Sequence, residues 1–119
     1  LAIAVTTSAL GAAGTLVFDE VDAGVGGAVA ETVGRLLREL GQERQVLCVT
    51  HLAQVAAYAT AHFVVEKAEV GGRTVTAVRR VEAAQRPAEL ARMLSGTLTD
   101  VSLQHAEELL AAAASERAG

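Results

Sequence analysis

Three carboxylates, Asp19, Glu20 and Asp22, follow directly on the apolar run Leu16, Val17 and Phe18 and precede the glycines Gly24, Gly26 and Gly27. A short apolar run bounded by turn signals reads as a buried strand of a parallel sheet. In open α/β sheets, ligands bind beyond the carboxyl ends of the strands. Asp19 and Glu20 stand at such an end. Two carboxylates there can divide the work of phosphoryl transfer, one holding Mg²⁺ and the other polarising a water. The bland alternative is a strand that merely ends in solvent. His51 argues against it, because it follows a second apolar run of strand length, QVLCVT at Gln45–Thr50. A metal-holding carboxylate, a carboxylate base and a histidine near the transferred phosphoryl group form a coherent hydrolytic set.

Other residues with chemical potential read as structural. His62 begins a strand, and His105 lies on a helix with no partner at metal-ligand spacing. Cys48 lies inside a strand and reads as a small buried hydrophobe. Arg79 and Arg80 read as a solvated strand face. The sequence has no G-x-x-x-x-G-K-[ST] loop to cradle phosphates. Its one lysine, Lys67, follows Val64, Val65 and Glu66 rather than glycines. The residues therefore supply one half of a nucleotide site and lack the half that grips phosphate.

The elements that must position these groups can be read from periodicity. Residues 1–10 read as the tail of a helix, with Leu1, Val5 and Ser8 on one face. With no capping residue before Leu1, that reading places the true beginning of the protein upstream. Gly11 and Gly14 punctuate the link to the acid-bearing strand. Residues 28–40 predict an amphipathic helix whose apolar stripe is Val29, Val33, Leu36, Leu37 and Leu40, ended by Gly41. Strand, helix and the strand Gln45–Thr50 make a right-handed parallel crossover. Residues 52–58 predict a short helix and residues 62–67 a third strand. Gly71 and Gly72 turn that strand into Arg73–Val81 as a hairpin with one wet face. Pro87 suits the first turn of a helix over 88–94, closed by Gly96. Thr99 or Asp100 can cap a last helix over 101–114, with Leu103, Ala106, Leu110 and Ala113 buried and fraying after Ser115.

A length of 119 residues suits one domain or one lobe of a larger one. Hydrophobic residues make up 51% of the chain, yet only one Tyr and two Phe are aromatic, so alanine, valine and leucine must build the core. A formal net charge of −4 gives no sign of an autonomous nucleic-acid binder. No apolar run approaches the roughly 20 residues of a membrane span. No secretory signal is expected, and a single cysteine forbids an internal disulfide and fits a reducing cytosol.

These residues resemble a known family. TLVFDE looks like the Walker B motif of ATP-binding-cassette (ABC) ATPases, VDAGVGG takes the place of the D-loop, and QVLCVTH looks like the strand and switch histidine. The wording VFDEVDAGVGG, QVLCVTHLAQVAAYA and ELARMLSG is similar to the RecN family, SMC-like proteins of bacterial DNA double-strand-break repair. The likeness runs from Leu1 to about Leu110.

The resemblance implies that residues 1–119 are the C-terminal lobe of a P-loop, ABC-type ATPase head. Such a lobe is α/β, with a mainly parallel sheet flanked by helices and a C-terminal hairpin and helices. It implies Mg²⁺ at Asp19, water activation by Glu20 and γ-phosphate sensing by His51. Asp22, with Ala23 and Gly24, falls in the loop implied to meet nucleotide across a head–head interface. ATP and Mg²⁺ are the implied cofactors. The implied partners are an N-terminal lobe carrying Walker A, a second head in an ATP-dependent homodimer, and DNA through the full-length protein. The signature motif would lie just upstream of Leu1. The implied location is the bacterial cytoplasm, at the nucleoid. Two alternatives stand beside this reading: a non-catalytic assembly lobe, and a head segment of another ABC-type ATPase.

Overall fold

The computed structural model describes residues 2–6, 14–19 and 26–118. Its centre is the expected crossover. Strand β2 (Thr15–Asp19) leads through helix α1 (Gly27–Gly41) to β3 (Gln45–Thr50), and β2 and β3 pair in parallel. Val46 and Cys48 of β3 alternate inward, are 1% and 2% exposed, and pack with Leu16 and Phe18 of β2 beneath Ala30, Val33 and Leu37 of α1. Cys48 is the small buried hydrophobe its position implies.

Two expectations are corrected here. Ala2–Thr6 is a strand, β1, and not a helix tail. It lies between β3 and β4 (Ala61–Val70), antiparallel to both, with Ala4 level with Cys48 on one side and His62 on the other. Helical spacing of Leu1, Val5 and Ser8 is a weak local preference. A strand in this slot satisfies the backbone donors and acceptors of two neighbours at once, and Ile3, Val5 and Thr6 are β-branched. The sheet is also not mainly parallel. Its order is β2-β3-β1-β4-β5, where β5 is Arg73–Val81, and among the described residues only the β2–β3 pairing is parallel. The α/β class stands, with a mixed sheet.

The buried side of α1 is also rotated from the predicted stripe. Val29, Leu36 and Leu40 are 54%, 53% and 40% exposed, whereas Ala30, Gly34, Leu37 and Arg38 face inward. Small residues win because α1 runs close to α2 (Ala53–Ala56) and the turn after it. A Cβ on Gly34 would lie 2.7 Å from Tyr58 Cδ2 and 3.2 Å from the Gln54 carbonyl oxygen. The Arg38 guanidinium stacks 4.8 Å from the centre of the Tyr58 ring and donates to the Ala113 carbonyl at 2.7 Å. This ties α1 to the last helix. Gly34→Ala should therefore destabilise the chain. Overpacking costs about 1–3 kcal/mol, against the roughly 1 kcal/mol that alanine gains in helix propensity. A lower urea midpoint at unchanged slope is the expected readout, and an unchanged midpoint would mean that Tyr58 moves aside freely.

The hairpin forms as expected, with β4 longer than predicted, but both faces of β5 are exposed up to Arg80, with Val75 and Val78 46% and 60% exposed, so the expected single wet face is corrected to two. Gly71 and Gly72 take φ of +58° and +79°, the left-handed pair that a two-residue turn between twisted strands requires. Helix α3 (Arg86–Ser95) starts with Pro87 in its first turn and ends on Gly96 at φ +78°. Helix α4 is Asp100–Ala118, longer than expected and helical past Ser115. Thr99 caps it: its Oγ1 accepts from the Ser102 amide at 3.0 Å, and Ser102 Oγ accepts from the Thr99 amide at 2.9 Å. Its buried side is Ser102, Ala106, Leu109 and Ala113, with Leu103 and Leu110 only partly covered. Ala56, Leu90 and Ala106 are fully buried in a second cluster, where α2, α3 and α4 meet through small side chains.

Candidate functional site

Because β2 and β3 run in parallel, their carboxyl ends share one edge of the sheet. Asp19, the last residue of β2, is level with Val49, and His51, two residues beyond Val49, directly follows β3. Both side chains are exposed. The two groups singled out by type and spacing are thus brought to the same edge by the register. Glu20, Asp22, Ala23 and Gly24 lie outside the described residues.

The turn that presents His51 is built by its neighbour. Thr50 is fully buried, and its Oγ1 accepts the Leu52 amide hydrogen at 3.0 Å. A threonine hydroxyl that captures the amide two residues on closes a turn and ends the strand. Leu52 then caps α2, and its carbonyl accepts from the Val55 and Ala56 amides. His51 therefore stands between a locked strand end and a helix start. The T-x-x segment after an apolar run could have signalled this role for Thr50.

Among the described residues, no three His, Cys, Asp or Glu side chains converge on a metal position. Among the described residues, Asp19 is the exposed carboxylate at the end of β2. A polar cavity of about 260 Å³ opens between β5 and α3, lined in part by Arg79, Gln85, Glu89 and Arg92. It lies at the far side of the sheet from β2, and its cations are engaged. Arg79 bonds Glu66 at 3.0 Å, and Arg92 bonds Glu89 at 2.8 Å. Arg79 and Arg80 remain exposed as expected, with Arg80 6.0 Å from the Phe63 ring.

His62 is more than the first residue of a strand. It is fully buried, and neither ring nitrogen has a hydrogen-bond partner among the described residues. Burial, then the cations Arg86 and Arg79, lower its pKa from 6.5 to about 4. The folded chain thus holds it neutral at pH 7. On acidification the unfolded chain takes up the proton first. Stability is complete above pH 6.5 and is lost as pH falls through about 4, by up to about 3 kcal/mol. Chemical denaturation between pH 7 and 4 should show this slope, and His62→Met should flatten it.

Fold and site together define an α/β protein with an acid and a histidine at the carboxyl edge of a parallel strand pair. No family model matches the chain. It is 55% identical over 97 residues to the DNA repair protein RecN of Deinococcus radiodurans, covering 82% of this chain and 17% of that protein. It is 45% identical over 120 residues to the DNA repair protein RecN of Treponema pallidum, covering 100% and 21%. Against the DNA repair protein RecN of Mycobacterium leprae it is 49% identical over 118 residues, covering 98% and 19%. The chain belongs to the RecN family, and it spans about a fifth of the length of the curated relatives it matches.

Proposed function

We propose that this chain serves DNA repair as the C-terminal lobe of an ATP-hydrolysing, SMC-like head that pairs with a second head when ATP is bound. The observation that carries the reading is the meeting of Asp19 and His51 at one carboxyl edge, with Glu20 next in sequence. The relatives, named as DNA repair proteins, support the biological setting. Asp19 would hold Mg²⁺, which when bound offsets phosphate charge. Glu20 orients a water and takes its proton. His51, held by the Thr50 turn, donates to an oxygen of the transferred phosphoryl group. Asp22, Ala23 and Gly24 would serve contacts with a partner head. Phosphate gripping falls to an N-terminal lobe with its own glycine-rich loop, and DNA contact falls to the longer protein, since this chain is acidic. Among the described residues no helix is long and apolar enough to cross a membrane.

The test is His51→Ala in the complete head. A group that meets the γ-phosphate chiefly in the reacting geometry lowers turnover more than affinity. Turnover per bound ATP should fall by about 10-fold or more while ATP and ADP dissociation constants stay within about 3-fold. Equal loss of both affinities with turnover preserved would assign His51 to folding.

A further inference from the structure

The turn that carries His51 has two ends. Thr50 holds the first, through the bond from the Leu52 amide to its hydroxyl oxygen. The second runs straight into α2, whose cap is Leu52 and whose length is four residues. Isolated helices shorter than about 12–15 residues are marginal in water, so tertiary contacts must hold one this short. Helix α2 is shared by both core clusters. Val55 belongs with Ala30, Val46 and Cys48, and Ala53 and Ala56 belong with Leu90, Ala91 and Ala106. Apolar contact is non-directional and does not fix how far a helix sits along such a surface. A directional bond supplies that. Arg86, the first residue of α3, donates from its guanidinium to the Ala56 carbonyl at 3.0 Å. The last carbonyls of a helix lack intrahelical partners, and basic side chains can satisfy them. The same oxygen accepts the Ala59 amide at 3.1 Å, so the end of α2 and the turn after it are pinned at one atom.

We propose that Arg86 is a positioning residue for His51. Through the Ala56 carbonyl it holds the far end of α2, and together with the Thr50 hydroxyl at the near end it fixes where the imidazole stands on the carboxyl edge. The inference rests on the assignment of His51 to ATP turnover, and Arg86 acts on that chemistry only through His51. A misplacement of about 1 Å, caused far from the reacting atoms, can cost up to roughly 100-fold in rate.

The test is made in the complete head at about pH 8, where His62 is neutral with or without the neighbouring Arg86 charge. Arg86→Met keeps the apolar stem and removes the donors. Turnover per bound ATP should fall by about 3–10-fold while the ATP and ADP dissociation constants stay within about twofold. Arg86→Lys, which keeps a donor, should recover part of the rate. In a His51→Ala background, Arg86→Met should change turnover by less than about 1.5-fold, because the group it positions is gone. Arg92→Met removes an exposed ion pair from the same helix and should leave turnover unchanged. Amide hydrogen exchange over residues 51–57 should quicken in Arg86→Met and not in Arg92→Met. Arg86→Gln takes the place of Arg86→Met if the latter does not fold by circular dichroism. Parental turnover in the folded variant, unchanged exchange over residues 51–57, or a loss that multiplies in full with that of His51→Ala would overturn the proposal. His51→Ala alone judges the nucleotide reading: parental turnover there removes that reading, whereas a loss there with none in the Arg86 variant removes only the positioning role.

Discussion

Glu20→Gln should all but abolish ATP turnover by the complete head while leaving ATP binding intact. The substitution preserves the size of the side chain and its ability to hold a water, and removes the base that accepts the proton. General-base catalysis is worth roughly 10²–10⁴-fold, and the loss should fall on kcat. Asp19, one residue earlier, is the last residue of β2 and is exposed at the sheet edge. Its charge is untouched by the change at Glu20, so Mg²⁺-dependent binding should persist. If hydrolysis is what separates paired heads, the variant should hold them together for longer in ATP. Single-turnover hydrolysis and sedimentation with ATP measure the two effects. Near wild-type hydrolysis would remove Glu20 from its assigned role.

The second large effect concerns the chain by itself. Alone it should neither bind nor hydrolyse ATP appreciably. It carries no phosphate-cradling glycine loop, and its single lysine, Lys67, is an exposed residue of the hairpin strand β4. At the strand-end edge, nucleotide phosphates would meet carboxylates, which repel them until Mg²⁺ and a loop lysine are supplied. Adding a lobe that carries such a loop should restore binding. Hydrolysis should also require head pairing, so its rate per head should rise with protein concentration. Isothermal titration of Mg-ATP into the 119-residue chain is the measurement. Micromolar binding, equivalent to about −8 kcal/mol, would place the phosphate site within this chain.

Local signals in the sequence were sufficient for the elements whose ends are set by backbone chemistry. Gly71 and Gly72 dictate the hairpin, because the two-residue turn they form takes positive φ at both positions, which glycine adopts without strain. Pro87 and Gly96 bracket α3, and Thr99 caps α4, for reasons confined to a few residues. The strands Thr15–Asp19 and Gln45–Thr50 and the helix between them were legible from apolar period, and their parallel pairing puts Asp19 and His51 on one edge. Tertiary structure decided what depends on neighbours remote in sequence. Ala2–Thr6 became a strand because β3 and β4 offer it two hydrogen-bonding edges, which outweigh a marginal helical pattern. Its insertion, antiparallel to both, made the sheet mixed. The buried side of α1 was chosen by how closely Gly34 can approach Tyr58, not by where its largest apolar residues fall. His62 was buried with no hydrogen-bond partner among the described residues because β4 lies inside the sheet between β1 and β5, a cost that periodicity does not register. Residue type and spacing proposed the chemistry at the strand ends, and only the packing determined which side of α1 and which polar groups were buried.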